Sequence, residues 1–116
     1  MSDALSYTVI EYEGVKLLEV SGYLSANTDM EFASFLETVT DTDNVIIDMK
    51  SVVLATLSGI ESLVILSQNA RKKGKRVILA CLKPEIKDIF GSLSMYPFVI
   101  FADTIEESLI KIRYYT

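Results

Sequence analysis

A chain of 116 residues, half of them apolar, is long enough to bury its own core in one domain and too apolar to stay disordered. A net charge of −5, no histidine and a single cysteine exclude general nucleic-acid binding, imidazole or thiolate metal sites, an internal disulfide, and Ser–His–Asp or Cys–His catalysis. No apolar run reaches the roughly 18–20 residues that span a bilayer, and Met1 to Tyr7 has neither the basic nor the apolar region of a signal peptide, so the expected location is the cytoplasm, without membrane insertion.

Tyr7 to Glu13 alternates apolar and polar residues and predicts a strand; after Gly14 a second runs from Val15 to Ser21, ended by Gly22, so that the pair forms a hairpin around Glu13-Gly14. Asn27 or Thr28 is placed to cap a helix through Thr38, with Met30, Phe32, Phe35, Leu36 and Val39 near helical spacing. After a polar turn, Val45-Ile46-Ile47 predicts a short strand covered on both faces, ending at Asp48. A linking segment, Met49 to Leu57, leads to a helix from near Ser58 to about Lys73. Its core stripe is Ile60, Leu63, Val64, Ser67 and Ala70, and Gly74 stands just past its end. Arg71, Lys72 and Lys73 complement the dipole of its last turn and read as a solvated helix end. Val77 to Cys81 is another buried-type strand, Pro84 suits the first position of a helix through about Leu93, and Val99-Ile100-Phe101 is a last short strand. Asp103 with Glu106 makes a capping-box-like start to a terminal helix. Alternating strands and helices after residue 40 predict a single α/β domain over 1–116, its mixed central sheet flanked by about four helices.

The informative segment is Asp48 to Leu63, DMKSVVLATLSGIESL. A helix that opens at Ser58-Gly59 exposes unpaired N–H groups and partial positive charge beside the serine. The Ser58 hydroxyl can then cap the helix, with Glu61 completing a capping box, or carry a phosphate that the same N–H groups stabilise. Gly59, lacking a Cβ, leaves the serine open to a partner. The glycines, at 14, 22, 59, 74 and 91, make no phosphate loop or dinucleotide fingerprint, so no cofactor is expected. No carboxylate pair stands at an informative spacing, so the chain is read as a non-enzyme.

The order of elements, and the run Asp48-Met49-Lys50-Ser51-Val52-Val53-Leu54-Ala55-Thr56-Leu57-Ser58-Gly59-Ile60, resemble the STAS domain, in particular the anti-sigma-factor antagonists. Asp48, Val52, Ser58 and Gly59 match the family's central pattern and Ile60 replaces a leucine conservatively. Val20 to Leu24 resembles the end of its second strand, and Asp103 to Leu109 its closing helix. The resemblance implies phosphorylation of Ser58 by an anti-sigma factor that is also a serine kinase. Unphosphorylated protein binds that partner and frees the sigma factor; phosphorylated protein lets go. The nucleotide belongs to the kinase. The family pattern has aspartate where Ser25 and Thr56 stand, which leaves a second reading open: a constitutive scaffold subunit of a signalling or membrane transport complex. The expected partner surface comprises Tyr23, Leu24 and Ser25 after the second strand, with Thr56, Leu57, Gly59, Ile60 and Leu66 around the Ser58 helix. Leu66, like Ile65, falls outside the core stripe of that helix. Charge is uneven: residues 1–60 hold ten acids and two lysines, residues 61–116 six acids and nine bases. An acidic half suits a basic protein partner or a solvated surface. Self-association is left open.

Overall fold

The hairpin that opens the chain also sets the edge of its sheet. A computed structural model describes residues 5–12, 14–25, 30–92 and 99–115. Strand β1 (Leu5–Tyr12) pairs antiparallel with β2 (Val15–Leu24), and Gly14, at φ +81°, makes the tight turn that side chains rarely adopt. Helix α1 (Met30–Val39) then leads to β3 (Val45–Ala55), α2 (Leu57–Lys72) to β4 (Val77–Ala80), α3 (Pro84–Ser92) to β5 (Ile100–Ala102), and α4 (Ile105–Tyr115) closes the chain. The sheet order is β1-β2-β3-β4-β5, with every pair after the hairpin parallel. Both the mixed sheet and the four helices agree with the sequence reading. The residues proposed to cap the first helix, Asn27 and Thr28, lie outside the described residues.

Crossovers of one hand between strands laid down in sequence order place successive helices on one side of a sheet. Phe32, Leu36 and Val39 of α1, Ile60, Leu63, Val64, Leu66 and Ala70 of α2, and Ile86 and Phe90 of α3 accordingly share one core with Leu18, Val45, Ile47, Val52, Val77 and Leu79. Tyr7 of β1 joins it, its ring 5.1 Å from Phe32 and 5.4 Å from Phe35. Helix α4 covers the other face, where Leu109 and Ile112 pack on Val15, Leu17, Ile46, Ile78, Ala80 and Ala102. The continuous apolar runs at Val45–Ile47 and Val77–Ala80 follow from this, since strands between two helical layers are buried on both faces.

Among the boundaries that differ from those predicted, three have a plain physical reason. Strand β3 continues through the segment taken as a linker, because β2 continues beside it past Gly22. Register shifts between Glu19 and Ser21, and between Gly22 and Tyr23, absorb the extra residues of β3, as bulges do. Gly22, at φ +100°, sits within the strand and does not end it. Helix α4 is capped by Thr104, whose Oγ1 accepts from Glu107 N–H at 3.0 Å, and not by Asp103. The Asp103 N–H donates instead to the Glu107 carboxylate, which holds that group below its ordinary range. Lys73 at the end of α2 is not merely solvated: its Nζ donates to the Glu37 carbonyl at 2.8 Å and to Asp41 Oδ1 at 2.9 Å, tying α2 to the end of α1.

One buried group stands apart. The Ser67 hydroxyl, on the buried side of α2, has no hydrogen-bond partner among the described residues. An unpaired buried hydroxyl retains its desolvation cost, about 1–3 kcal/mol, and serine is a poorer helix former than alanine. Ser67→Ala is therefore expected to raise the urea midpoint at unchanged slope, by the equivalent of about 1 kcal/mol.

Candidate functional site

The site is built where β3 hands over to α2. Thr56 has extended backbone (φ −87°, ψ 163°) and its Oγ1 accepts from Gly59 N–H at 3.1 Å, while its carbonyl accepts the first helical bond from Ile60 N–H at 3.0 Å. Thr56 is thus the N-cap of α2. This corrects the expectation that Ser58 caps and forms a box with Glu61. Ser58 is the second helical residue, exposed, with its Oγ 3.3 Å from Thr56 Oγ1. Its carbonyl accepts from the Ser62 hydroxyl at 3.1 Å. No acid stands in the first turn, so the positive end of the helix dipole is uncompensated beside Ser58.

The cap is pinned to the end of β2. Thr56 N–H donates to the Leu24 carbonyl at 2.9 Å, and the Thr56 hydroxyl lies 3.5 Å from the same oxygen. Gly59 is buried against that carbonyl. A Cβ on it would stand 2.6 Å from Leu24 O, 2.9 Å from Leu24 C and 3.0 Å from Ser25 N. The glycine is needed for this backbone approach, whereas the sequence suggested that it served to expose the serine.

Two stretches assigned separately in the sequence prove to be one surface. Across the parallel ladder Leu24 faces Ala55 and Tyr23 faces Leu54, so the end of β2 and Ser25 lie against the start of α2. Tyr23 and Ser25 are half-buried there, and Leu57, 51% exposed, stands beside Ser58. Leu24 and Ile60 are core residues. Leu66, expected outside the stripe, is buried in the same core, and Ile65 is the exposed neighbour, because α1 and α3 flank α2 and widen its buried face. Val53 and Leu54, which were not part of the expected partner surface, are 59% and 51% exposed. Two adjacent exposed apolar residues in one strand break the alternation that signals a buried face; they sit at the second register shift, where Val53 is the extra residue between Val52 and Leu54. The run Val53-Leu54-(Ala55)-Thr56-Leu57 carried the signal, but only once read as strand.

A second polar group lies on the α4 side of the sheet. Asp48 is buried; its Oδ1 accepts from Lys50 N–H at 3.1 Å and its Oδ2 is 3.4 Å from Lys50 Nζ. Asp48's charge, together with a hydrogen bond to it, keeps Lys50 protonated above its usual range. Cys81, at φ +62°, sits close by; burial, then the charge of Asp48, push its thiol up, so it rests protonated. Asp48 and Lys50 also line an open groove of about 280 Å³ with Ser6, Thr8, Glu19 and Ser21.

A family model described as STAS domain matches residues 6–108. Among solved structures, an anti-sigma factor antagonist from Mycobacterium paratuberculosis superposes with a TM-score of 0.82 at 19% identity, covering 97% of each chain. The Bacillus cell fate determinant SpoIIAA in its phosphorylated form gives a TM-score of 0.70 at 14% identity, covering 93% of this chain and 100% of that one. The murine anion transporter Slc26a9 gives 0.69 at 17% identity over 97% of this chain but 22% of the transporter. No helix among the described residues is long and apolar enough to cross a membrane.

The capping geometry sets an order of costs. Thr56→Ala loses the cap and is expected to destabilise by about 1 kcal/mol. Gly59→Ala gains helix propensity but forces backbone apart, and a net loss of about 1–3 kcal/mol is expected. Ser58→Ala, which removes no cap, should stay within about 0.5 kcal/mol of the parent. Urea unfolding of the three variants reads the order directly; a Ser58→Ala loss as large as that of Thr56→Ala would return the cap to Ser58.

Proposed function

This chain belongs to the STAS domain family, and on that premise we propose that it is an anti-sigma-factor antagonist, a non-enzymatic module released from its partner by phosphorylation of Ser58. The observation that carries the reading is the position of Ser58. It is exposed at the open end of α2, beside exposed Leu57 and next to a strand end bearing Val53 and Leu54.

The unmodified surface suits a partner that buries Leu54, Leu57 and the neighbouring Tyr23. A phosphate on Ser58 adds close to two negative charges. In the free protein that charge is tolerated, since the N–H groups of the first helical turn and the hydroxyl of Thr56 lie beside it. Within a packed apolar interface it must be stripped of water, and the complex loses to the free, hydrated form. The partner is an anti-sigma factor with serine kinase activity; ATP is bound there, the freed sigma factor acts on transcription, and the exchange takes place in the cytoplasm. One structural neighbour, SpoIIAA, is known in a phosphorylated form, which supports the reading.

A second reading, a constitutive scaffold, draws on Ser25 and Thr56, neutral residues where the family pattern has aspartate, and on the likeness to part of an anion transporter.

The two readings separate in one experiment. The protein is incubated with the anti-sigma kinase of its own organism and Mg·ATP, phosphate is located by mass spectrometry, and partner binding is measured by calorimetry. The switch predicts phosphate on Ser58, none in Ser58→Ala, and at least tenfold weaker binding for Ser58→Asp with Ser58→Ala unchanged. Unmodified protein whose Ser58→Asp variant binds as tightly as the parent would leave the scaffold.

A further inference from the structure

Strand β3 outlasts its neighbour. Strand β4 pairs with it from Val45 to Asp48 only, so residues 49–55 keep β2 on one side and, among the described residues, have no strand on the other. The chain leaves the ladder at Cys81, whose φ of +62° is the left-handed conformation that turns it aside. The unaccompanied half of β3 also begins at a bulge. Met49 and Lys50 together stand opposite Val20, between the pairs Glu19–Asp48 and Ser21–Ser51. A bulge disrupts the ladder locally. A strand paired on one side, with Val53 and Leu54 exposed, has little burial to hold it.

Side chains take up the bulge. The Lys50 N–H donates to Asp48 Oδ1 at 3.1 Å, and the Lys50 carbonyl accepts from Lys83 Nζ, 33 residues along the chain. The backbone of Lys83 is itself fixed. Pro84 after it favours extended conformation, and its carbonyl accepts from the N–H groups of Ile86 and Lys87, both at 3.0 Å, at the start of α3. Ile86 and Phe90 seat that helix in the core. The ammonium therefore reaches β3 from a rigid base, and its charge strengthens the hydrogen bond it donates.

We propose that Lys83 is a positioning residue for the partner surface: through the Lys50 carbonyl it holds the unaccompanied half of β3, so that Val53 and Leu54 meet a partner already ordered. The partner rests on the function proposed above. A surface ordered in advance binds more tightly because less freedom is lost on association.

Hydrogen exchange of the full chain, followed amide by amide by NMR, tests the hold without any partner. Lys83→Met keeps the stem and removes the ammonium. Protected amides within residues 51–55 are then expected to exchange at least about threefold faster, with those of residues 45–48 and the urea midpoint unchanged. Lys83→Arg, which keeps a charged donor, should exchange like the parent. Calorimetry of unphosphorylated protein against the anti-sigma kinase of its own organism should show binding at least about threefold weaker for Lys83→Met and parental for Lys83→Arg. Lys87→Met, an equal loss of charge on α3, should leave exchange and binding as in the parent. Exchange in Lys83→Met no faster than in the parent, faster exchange with undiminished binding, or an equal effect of Lys87→Met would overturn the proposal. A parent that does not bind this kinase removes the functional reading instead, and the exchange result still decides whether Lys83 holds the strand.

Discussion

The structure turns on how closely the start of α2 approaches the end of β2. The Leu24 carbonyl accepts from the backbone of Thr56 and lies where a Cβ of Gly59 would be, so two backbones meet with no side chain between them. That contact fixes the direction in which α2 leaves the sheet and the depth at which Ile60 enters the core. It also brings Tyr23 and Ser25 beside the first helical turn. A hydroxyl at position 56 closes the helix end, and position 58 is thereby freed from structural duty and left at the surface.

The long β3 follows from the same junction. Parallel pairing with β2 persists to the point where Leu24 faces Ala55, and the chain absorbs its surplus residues as two register shifts. The shifts turn Lys50 and Ser51, then Val53 and Leu54, to the surface. The polar pair borders the groove that holds Asp48, and the apolar pair borders Ser58. An irregular strand thus supplies the apolar part of the surface on which the proposed switch would act.

Most of the architecture was legible because burial imposes period. Val45–Ile47 and Val77–Ala80, covered on both faces, read as continuous apolar runs, and the stripe of α2 read at helical spacing. What misled were positions where two chemically similar residues compete for one role. Ser58 and Thr56 both offer a capping hydroxyl, as Asp103 and Thr104 both offer a capping oxygen, and local sequence ranks such residues nearly equally. Which one caps depends on the residue at which the backbone leaves extended conformation, and that is set by the strand behind it. Leu66 misled for another reason: helices on both sides of α2 bury more of its circumference than one sheet would.

By itself, then, the sequence determined the class of fold, the order of its elements, the apolar faces that must be buried, and a Ser-Gly pair at the opening of the second helix. These are consequences of periodicity and of residue chemistry over a few neighbours. The tertiary structure alone decided that β3 runs on to Ala55, that Thr56 and not Ser58 caps α2, that Gly59 exists for the Leu24 carbonyl, and that Val53 and Leu54 lie open. Each of these depends on pairing between strands or on backbone contact between residues some thirty positions apart, where no local pattern reaches.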